Sequence, residues 1–78
     1  MRRTPVDSKS IASIGYDPRR RELEIEFRDS GDVYRYFGVS AGESADFMAA
    51  ESKGTYLNQV FKLRNHHFFV VKEGKRLA

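Results

Sequence analysis

The stretch ELEIEFRDSGDVYRYFGV, residues 22–39, contains the strongest structural signal in the sequence. Apolar and charged residues alternate throughout ELEIEFR, so Leu23, Ile25 and Phe27 share one face of an extended chain. Strict alternation is typical of a strand with one buried face and one solvated face. The DSGD that follows is a turn signal, and the aromatic and β-branched run after it predicts the returning strand of a hairpin.

The direction of the Tyr34 and Tyr36 side chains depends on the length of the hairpin loop. A two-residue loop pairs Phe27 with Tyr34 and Glu26 with Arg35, and it puts both tyrosines on the core face. A three-residue loop shifts the pairing by one residue and turns the tyrosines toward the glutamates. We favour the first register because it pairs opposite charges and places the aromatic side chains opposite apolar residues of β-favouring type. In this register the tyrosines are core residues and not a ligand platform.

The segments on either side of the hairpin also have recognisable signals. SIASIGYD predicts a first strand that ends at the turn signal DP. After the hairpin, Ser40 and Glu43 have the capping-box spacing for a helix over about residues 41–52. The stripe predicted to face the core consists of Ala41, Ala45 and Met48, with Phe47 at its margin.

A second short helix and a further extended segment complete the predicted elements. Gly54 suits the position just past the first helix, and Thr55 suits the cap of the second. The apolar residues of the second helix recur at spacings of three and four: Tyr56, Leu57, Val60, Phe61 and Leu63. HFFVVK, residues 67–72, predicts a fourth strand or an extended tail. The whole pattern predicts an α+β fold, a three-stranded antiparallel meander followed by two short helices on one face.

Length and composition limit the domain organisation. A chain of 78 residues accommodates one domain, which we place at residues 10–72, with frayed tails at residues 1–9 and 73–78. The chain contains no Cys, which excludes disulfides and thiolate metal sites. No apolar run approaches the ~20 residues of a membrane span, and the N-terminus has no hydrophobic signal segment. We expect a soluble, cytoplasmic protein that does not bind membranes.

Charge is segregated along the chain. Residues 1–21 contain six basic and two acidic side chains, residues 22–52 two basic and eight acidic, and residues 53–78 six basic and one acidic. Because phosphate contacts need clustered cations, a nucleic-acid surface would be built from the two terminal segments. The candidate RNA-binding residues are Arg19, Arg20, Arg21, Lys53, Lys62 and Arg64, with Lys72, Lys75 and Arg76 as a basic tail.

No group of residues predicts catalysis. His66 and His67 are the two histidines of the chain, and as neighbours they point to opposite sides of an extended backbone. The glutamates of ELEIEFR are typical of a solvated strand face, and no serine lies in a nucleophile elbow. The sequence contains no glycine-rich phosphate loop. We therefore expect no catalytic residues, no metal and no cofactor, and a binding module in place of an enzyme.

Taken in order, SIASIGYD, LEIEFR, VYRYFGV and SKGTYLNQVFKLR resemble the KTSC domain over about residues 8–64. This family is a short module found at the C-terminus of some lysyl-tRNA synthetases and as free-standing small bacterial proteins. Its central Tyr-x-Tyr matches Tyr34 and Tyr36, which we interpret as structural. Two departures are Val39-Ser40, where the family often has Val-Pro, and NHHFF, where it often has Tyr-Pro-Tyr.

The resemblance implies an RNA-binding role and no catalytic residues. The alternative is a protein-interaction module that docks a partner through the sheet edge or through the aromatic run Phe68-Phe69. The two hypotheses differ in one structural requirement: RNA binding needs the basic segments to meet on one face of the folded chain.

Overall fold

The computed structural model describes residues 1–74 of the chain, so Lys75 and Arg76 of the predicted basic tail lie outside the described residues. It contains a five-stranded antiparallel sheet whose neighbouring strands follow chain order. The strands are β1 Thr4–Pro5, β2 Ile11–Asp17, β3 Glu22–Phe27, β4 Val33–Tyr36 and β5 Phe68–Lys72. Between β4 and β5 lie helix α1, Ala41–Ala49, and a second helical segment. That segment begins as α2, Lys53–Tyr56, and continues as a π-helical turn, Leu57–Phe61, and a 3-10 turn, Lys62–Arg64.

This architecture confirms the predicted α+β fold, its antiparallel meander and the strand character of the C-terminal run. Thr4 and Pro5 lie in the segment predicted to be frayed, yet they pair with β2, Thr4 opposite Ile14 and Pro5 opposite Ser13. Among residues 1–74, no helix is long and apolar enough to cross a membrane.

The hairpin of β3 and β4 has the predicted faces, but the predicted pairing is wrong. Ile25 lies opposite Tyr34 and Glu24 lies opposite Arg35, which shifts the pairing by two residues from the favoured register. A shift of two residues preserves the alternation of side chains, so both tyrosines remain on the face of Ile25. Arg35 has an acidic partner on the other face, as expected, but the partner is Glu24 and not Glu26.

The length of the loop explains the shifted register. The amide of Phe27 donates to the carbonyl of Asp32 at 2.9 Å, which leaves a loop of residues 28–31. Gly31 closes this loop with a φ of 75°, a left-handed conformation that glycine adopts without steric cost. The turn chemistry therefore selects a longer loop than either of the two considered from the sequence.

The core lies between the sheet and the helices. Its buried side chains are Ile11, Ile14, Leu23, Ile25, Tyr36, Val39, Phe47, Leu57 and Phe61. The ring of Phe61 lies at the centre, 4.9 Å from the ring of Tyr36 and 5.3 Å from that of Phe47. The hydroxyl of Tyr16 donates to the carbonyl of Val39 at 2.6 Å and ties the end of β2 to the chain entering α1.

Helix α1 buries a different face from the predicted one. Phe47, placed at the margin by the sequence pattern, is fully buried together with Glu43 and Ser44. The helix turns this way because Phe47 packs against the rings of Tyr56 and Phe61, at 4.9 and 5.3 Å, and an aromatic side chain is the largest apolar group that the helix can bury. Ser40 caps the helix as predicted, since its hydroxyl accepts from the amide of Glu43 at 3.1 Å. The predicted stripe is exposed at all three positions, Ala41, Ala45 and Met48.

The second helical segment begins earlier than predicted. Ser52, not Thr55, is the cap, because its hydroxyl accepts from the amide of Thr55 at 3.3 Å. Gly54 consequently lies inside α2 instead of past the end of α1. Of the predicted apolar stripe, Leu57 and Phe61 are buried, Tyr56 and Val60 are half-buried, and Leu63 is exposed.

We predict that Tyr36→Ala lowers the free energy of unfolding by about 3 to 5 kcal/mol, because it removes a buried aromatic ring and leaves a cavity. Tyr36 is 6% exposed and contacts the ring of Phe61. Urea unfolding followed by circular dichroism measures the change. Leu63→Ala is the matched control, since Leu63 is 72% exposed. An unchanged unfolding midpoint for Tyr36→Ala would contradict the core role of this tyrosine.

Candidate functional site

The candidate RNA-binding cations occupy separate parts of the molecule. Residues 19–21, the three arginines, form the turn at the end of β2. Lys53 lies near the beginning of β2, because the next residue, Gly54, is close to Ser10. β2 has seven residues and is therefore roughly 20 Å long. The structure thus places the arginine turn and Lys53 at opposite ends of the sheet.

The other candidate cations lie beside polar groups of the protein. A guanidinium nitrogen of Arg64 lies 3.3 Å from the carboxylate of Glu43, and Lys62 lines a groove that also contains two aspartates. The ammonium of Lys53 donates to the carbonyl of Ala50 at 2.6 Å. Within residues 1–74, the turn Arg19, Arg20 and Arg21 is exposed and takes part in no ion pair. The structure therefore distributes the predicted set over both ends of the sheet and does not gather it into one cluster.

Strand β5 is an edge strand of the sheet, and its first four residues are apolar. All five of its residues are exposed, including Phe68 at 53%, Phe69 at 48%, Val70 at 41% and Val71 at 40%. The amide of Phe37 donates to the carbonyl of His67 at 2.8 Å. Because antiparallel pairs alternate between bonded and non-bonded, the backbone groups of Phe68 and Val70 point away from β4. The edge therefore presents apolar side chains and outward-facing backbone groups together.

A groove of about 560 Å³ adjoins β5 on the helical face of the sheet. Its aromatic lining consists of Phe27, Tyr34, Tyr36, Phe61 and Phe68. The rings of Tyr34 and Phe68 stack at 5.2 Å with an interplanar angle of 15°, which continues the aromatic surface from the groove onto β5. Asp29, Asp32 and Lys62 contribute polar groups to its rim.

Tyr36 forms a wall of this groove and remains a neutral phenol. Burial raises the pKa of the Tyr36 hydroxyl to about 12, and the neighbouring Tyr34 adds to the shift. At neutral pH the hydroxyl is therefore protonated, which makes Tyr36 a hydrogen-bonding and packing residue and a poor general base.

A carboxylate from α1 holds the segment that leads into β5. Glu43 is buried, and its carboxylate lies 2.7 Å from Nε2 of His66 as well as close to Arg64. The ring of His66 also lies 5.1 Å from the ring of Phe61. This contact uses part of NHHFF, the segment that departs from the family pattern. No group of three or more potential metal ligands occurs among residues 1–74.

The opposite face of the sheet contains a buried charge network that sequence reasoning missed. Glu24 is 3% exposed, so the face predicted to be solvated is closed at this position. One carboxylate oxygen lies 3.0 Å from Nη1 of Arg3, and the other accepts from Nε and Nη2 of Arg35 at 2.8 and 2.6 Å. The two guanidinium groups cover the carboxylate and compensate its charge. Arg3 lies far from Glu24 in the sequence, so no local pattern predicts this contact.

Comparison with known proteins shows similarity over most of the chain. The family model of the KTSC domain matches residues 7–64. An uncharacterised protein from Stutzerimonas stutzeri is 39% identical over 69 residues, covering 88% of this chain and 96% of that protein. A lysine–tRNA ligase from Nostoc punctiforme is 40% identical over 52 residues, covering 67% of this chain and 9% of the ligase. The crystal structure of a KTSC domain protein from Yersinia pestis has a TM-score of 0.84 and 42% identity, covering 91% of this chain and 97% of that one. The resemblance read from the sequence is confirmed.

We predict an alkaline loss of stability that depends on Tyr36. Its pKa in the folded protein, about 12, exceeds the ordinary tyrosine value of 10.0, so ionisation favours the unfolded chain. Its contribution to stability is full below pH 10 and is lost as the pH rises toward 12. The phenolate absorbance should show a late titration step that Tyr36→Phe removes. If the late step survives in Tyr36→Phe, the assignment is wrong.

Proposed function

This chain belongs to the KTSC domain family, and we propose that it is a non-enzymatic binding module that adds an extended segment of a partner protein to the free edge of β5. The observation that supports the proposal is the run of exposed apolar side chains on an edge strand. Soluble proteins usually protect such edges with charges, proline or short strands. Within β5, the run from Phe68 to Val71 carries no charge and no proline, which makes this part of the edge suited to strand addition by another chain.

An extended segment fits this edge better than a second copy of the protein. The half-exposed rings of Phe68 and Phe69 each offer roughly 100 Å² of contact area. The edge therefore supplies much less than the ~800 Å² per partner of a stable interface. A single extended segment can use the outward backbone groups and the adjoining groove together, which a rigid second sheet cannot enter.

The groove gives the incoming segment a preference for apolar side chains. Side chains of an added strand alternate between the two faces of the sheet, so every second one lies beside Phe68 on the helical face. There it meets the stacked rings of Phe68 and Tyr34 and the ring of Phe61. An aromatic or aliphatic side chain is the best occupant of this surface.

We predict that a short peptide of alternating valine and phenylalanine, with a lysine at each end, binds the protein and slows hydrogen exchange at the amides of Phe68 and Val70. Val70→Lys should weaken binding by about tenfold, or about 1.4 kcal/mol, because a charge on the edge opposes strand addition. Leu63→Lys is the matched control, since Leu63 is an exposed apolar residue outside β5. Binding that leaves β5 exchange unchanged, or that Val70→Lys does not weaken, contradicts the proposal.

The predicted cations are spread over both ends of the sheet, so RNA binding is the second candidate function for a smaller site alone, the turn between β2 and β3. Arg19, Arg20 and Arg21 are exposed there, and the carboxylate of Asp17 accepts from the amides of Arg19 and Arg20 at 3.0 and 3.3 Å. These bonds hold the turn in one conformation and leave the three guanidinium groups available for phosphate contacts. The similar segment in a lysine–tRNA ligase gives this candidate its context.

The two candidates differ in their salt dependence. If RNA binds at the turn, the replacement of all three arginines by glutamine should flatten the plot of log affinity against log salt by about 0.7 per lost contact with a single strand. Lys53→Gln, at the other end of the sheet, should leave that slope unchanged. Fluorescence anisotropy with a mixed-sequence RNA measures both. An intact protein that binds no RNA at low salt excludes this candidate, because electrostatic attraction is strongest there.

A further inference from the structure

We infer that the outer edge of β2 and the carboxylate of Glu24 form a second docking site, which accepts an extended, arginine-bearing segment of another protein and which the chain's own N-terminal residues fill. This inference is independent of the function proposed for β5. The N-terminal segment is defined here as the arm, residues 1–5, and it includes β1.

The arm is bound as a peptide ligand would be bound. Its backbone pairs with Ser13 and Ile14 of β2, and its Arg3 side chain passes onto the sheet face opposite the helices. There Nε of Arg3 donates to the hydroxyl of Ser13 at 3.1 Å, and Nη1 donates to the carboxylate of Glu24 at 3.0 Å. Backbone pairing combined with side-chain recognition is the usual mode of peptide capture at a sheet edge.

The site selects a guanidinium group through its hydrogen-bonding polarity. The Ser13 hydroxyl donates its single proton to the carboxylate of Glu26 at 2.8 Å, so toward the arm it can only accept. Glu24 accepts as well. A ligand must therefore present two donors at fixed spacing, which the planar fork of arginine does and the single ammonium of lysine does less well.

Charge and shape point to the same ligand. Without Arg3, the sheet face around the site holds the carboxylates of Glu22, Glu24 and Glu26 beside the guanidinium of Arg35. The guanidinium of Arg28 donates to the carbonyls of Val6, Ser8 and Ile11 near the same edge, so the carboxylates still outnumber the cations. Gly15 supplies the room for a main chain to cross, because a Cβ at this position would lie 2.6 Å from the carbonyl oxygen of Arg2. The face thus has an acidic character and a channel for a passing backbone.

The arm covers the site incompletely, so a longer segment can displace it. β1 pairs with Ser13 and Ile14, and the amide of Val6 extends this pairing to the carbonyl of Ala12 at 3.1 Å, whereas Tyr16 and Asp17 at the far end of β2 pair with no residue of the arm. Thr4 and Pro5 are exposed, and proline has no amide proton to contribute. A terminal segment that pairs with a single neighbouring strand opens locally at lower free-energy cost than the central strands do. A segment that also pairs along the rest of β2 gains hydrogen bonds that the arm does not make.

Because the arm belongs to the same chain as the site, it competes effectively with weak ligands. An intramolecular competitor on a short linker acts at an effective concentration on the order of millimolar, which lowers the apparent affinity of every other ligand. The arm of a second copy has the same contacts but lacks this advantage, so exchange between copies gains nothing. A foreign segment with longer pairing is the occupant that can compete.

The test uses the full chain and the acetylated peptide Met-Arg-Arg-Thr-Pro-Val, with binding measured from amide chemical shifts of Ser13, Ile14 and Gly15. Arg3→Gln weakens the hold of the arm, so this variant should bind the peptide about tenfold more tightly than the intact chain does. Arg2→Gln is the matched control, because Arg2 makes no ion pair within residues 1–74, and it should behave as the intact chain. A peptide with glutamine in place of its second arginine should bind about tenfold less tightly.

Three results overturn the inference. The first is a folded Arg3→Gln chain that binds the peptide no better than the intact chain, and the second is equal binding of the arginine and glutamine peptides. The third is arm-dependent dimerisation of the intact chain in sedimentation, which would make a second copy the occupant. If Arg3→Gln does not fold, Arg3→Lys applies the same test, since it retains the charge beside Glu24 but loses the fork. We expect Arg3→Lys to bind the peptide more tightly than the intact chain does, but by a smaller factor than Arg3→Gln.

Discussion

The alternation of side chains along β3 is the constraint on which the rest of the structure depends. Leu23 and Ile25 are fully buried on one face, and burial of each contributes roughly 1.5 to 3 kcal/mol. That face requires a cover of helices and aromatic rings. Glu24, between them, points to the other face, where it is almost as deeply buried. A lone buried carboxylate costs several kcal/mol, so this face requires cations. Apolar packing thus stabilises one face of β3, and ion pairs with arginines stabilise the other.

Because β3 is the central strand, the two edge strands of the sheet come from the two ends of the described chain. β1 supplies one edge and β5 the other, and each is attached by pairing with a single neighbour. The two edges differ in character. The β2 side is acidic and already covered by an arginine, whereas β5 is apolar and open.

Local patterns in the sequence predicted the features that local physics determines. The alternation of β3 and the cap at Ser40 depend on neighbouring residues, and both were found as expected. The predicted hairpin register was wrong because the loop length depends on the conformation of Gly31. The predicted faces of β3 and β4 were nevertheless correct, since a shift of two residues preserves the alternation of side chains. The predicted orientation of α1 was wrong because the helix buries Phe47 instead of the stripe of Ala41, Ala45 and Met48. The Arg3–Glu24 contact joins distant segments and left no sequence signal.

The apolar edge of β5 also determines how the protein behaves at high concentration. Phe69, Val70 and Val71 form an uncharged segment of high β-propensity, the composition from which ordered aggregates grow when strand edges meet. Lys72 and Glu73 follow at once and act as gatekeepers at one end of this segment, while no charge separates the apolar residues themselves. We therefore expect the solubility of this protein at high concentration to be limited by pairing through this one strand and not by the stability of the fold.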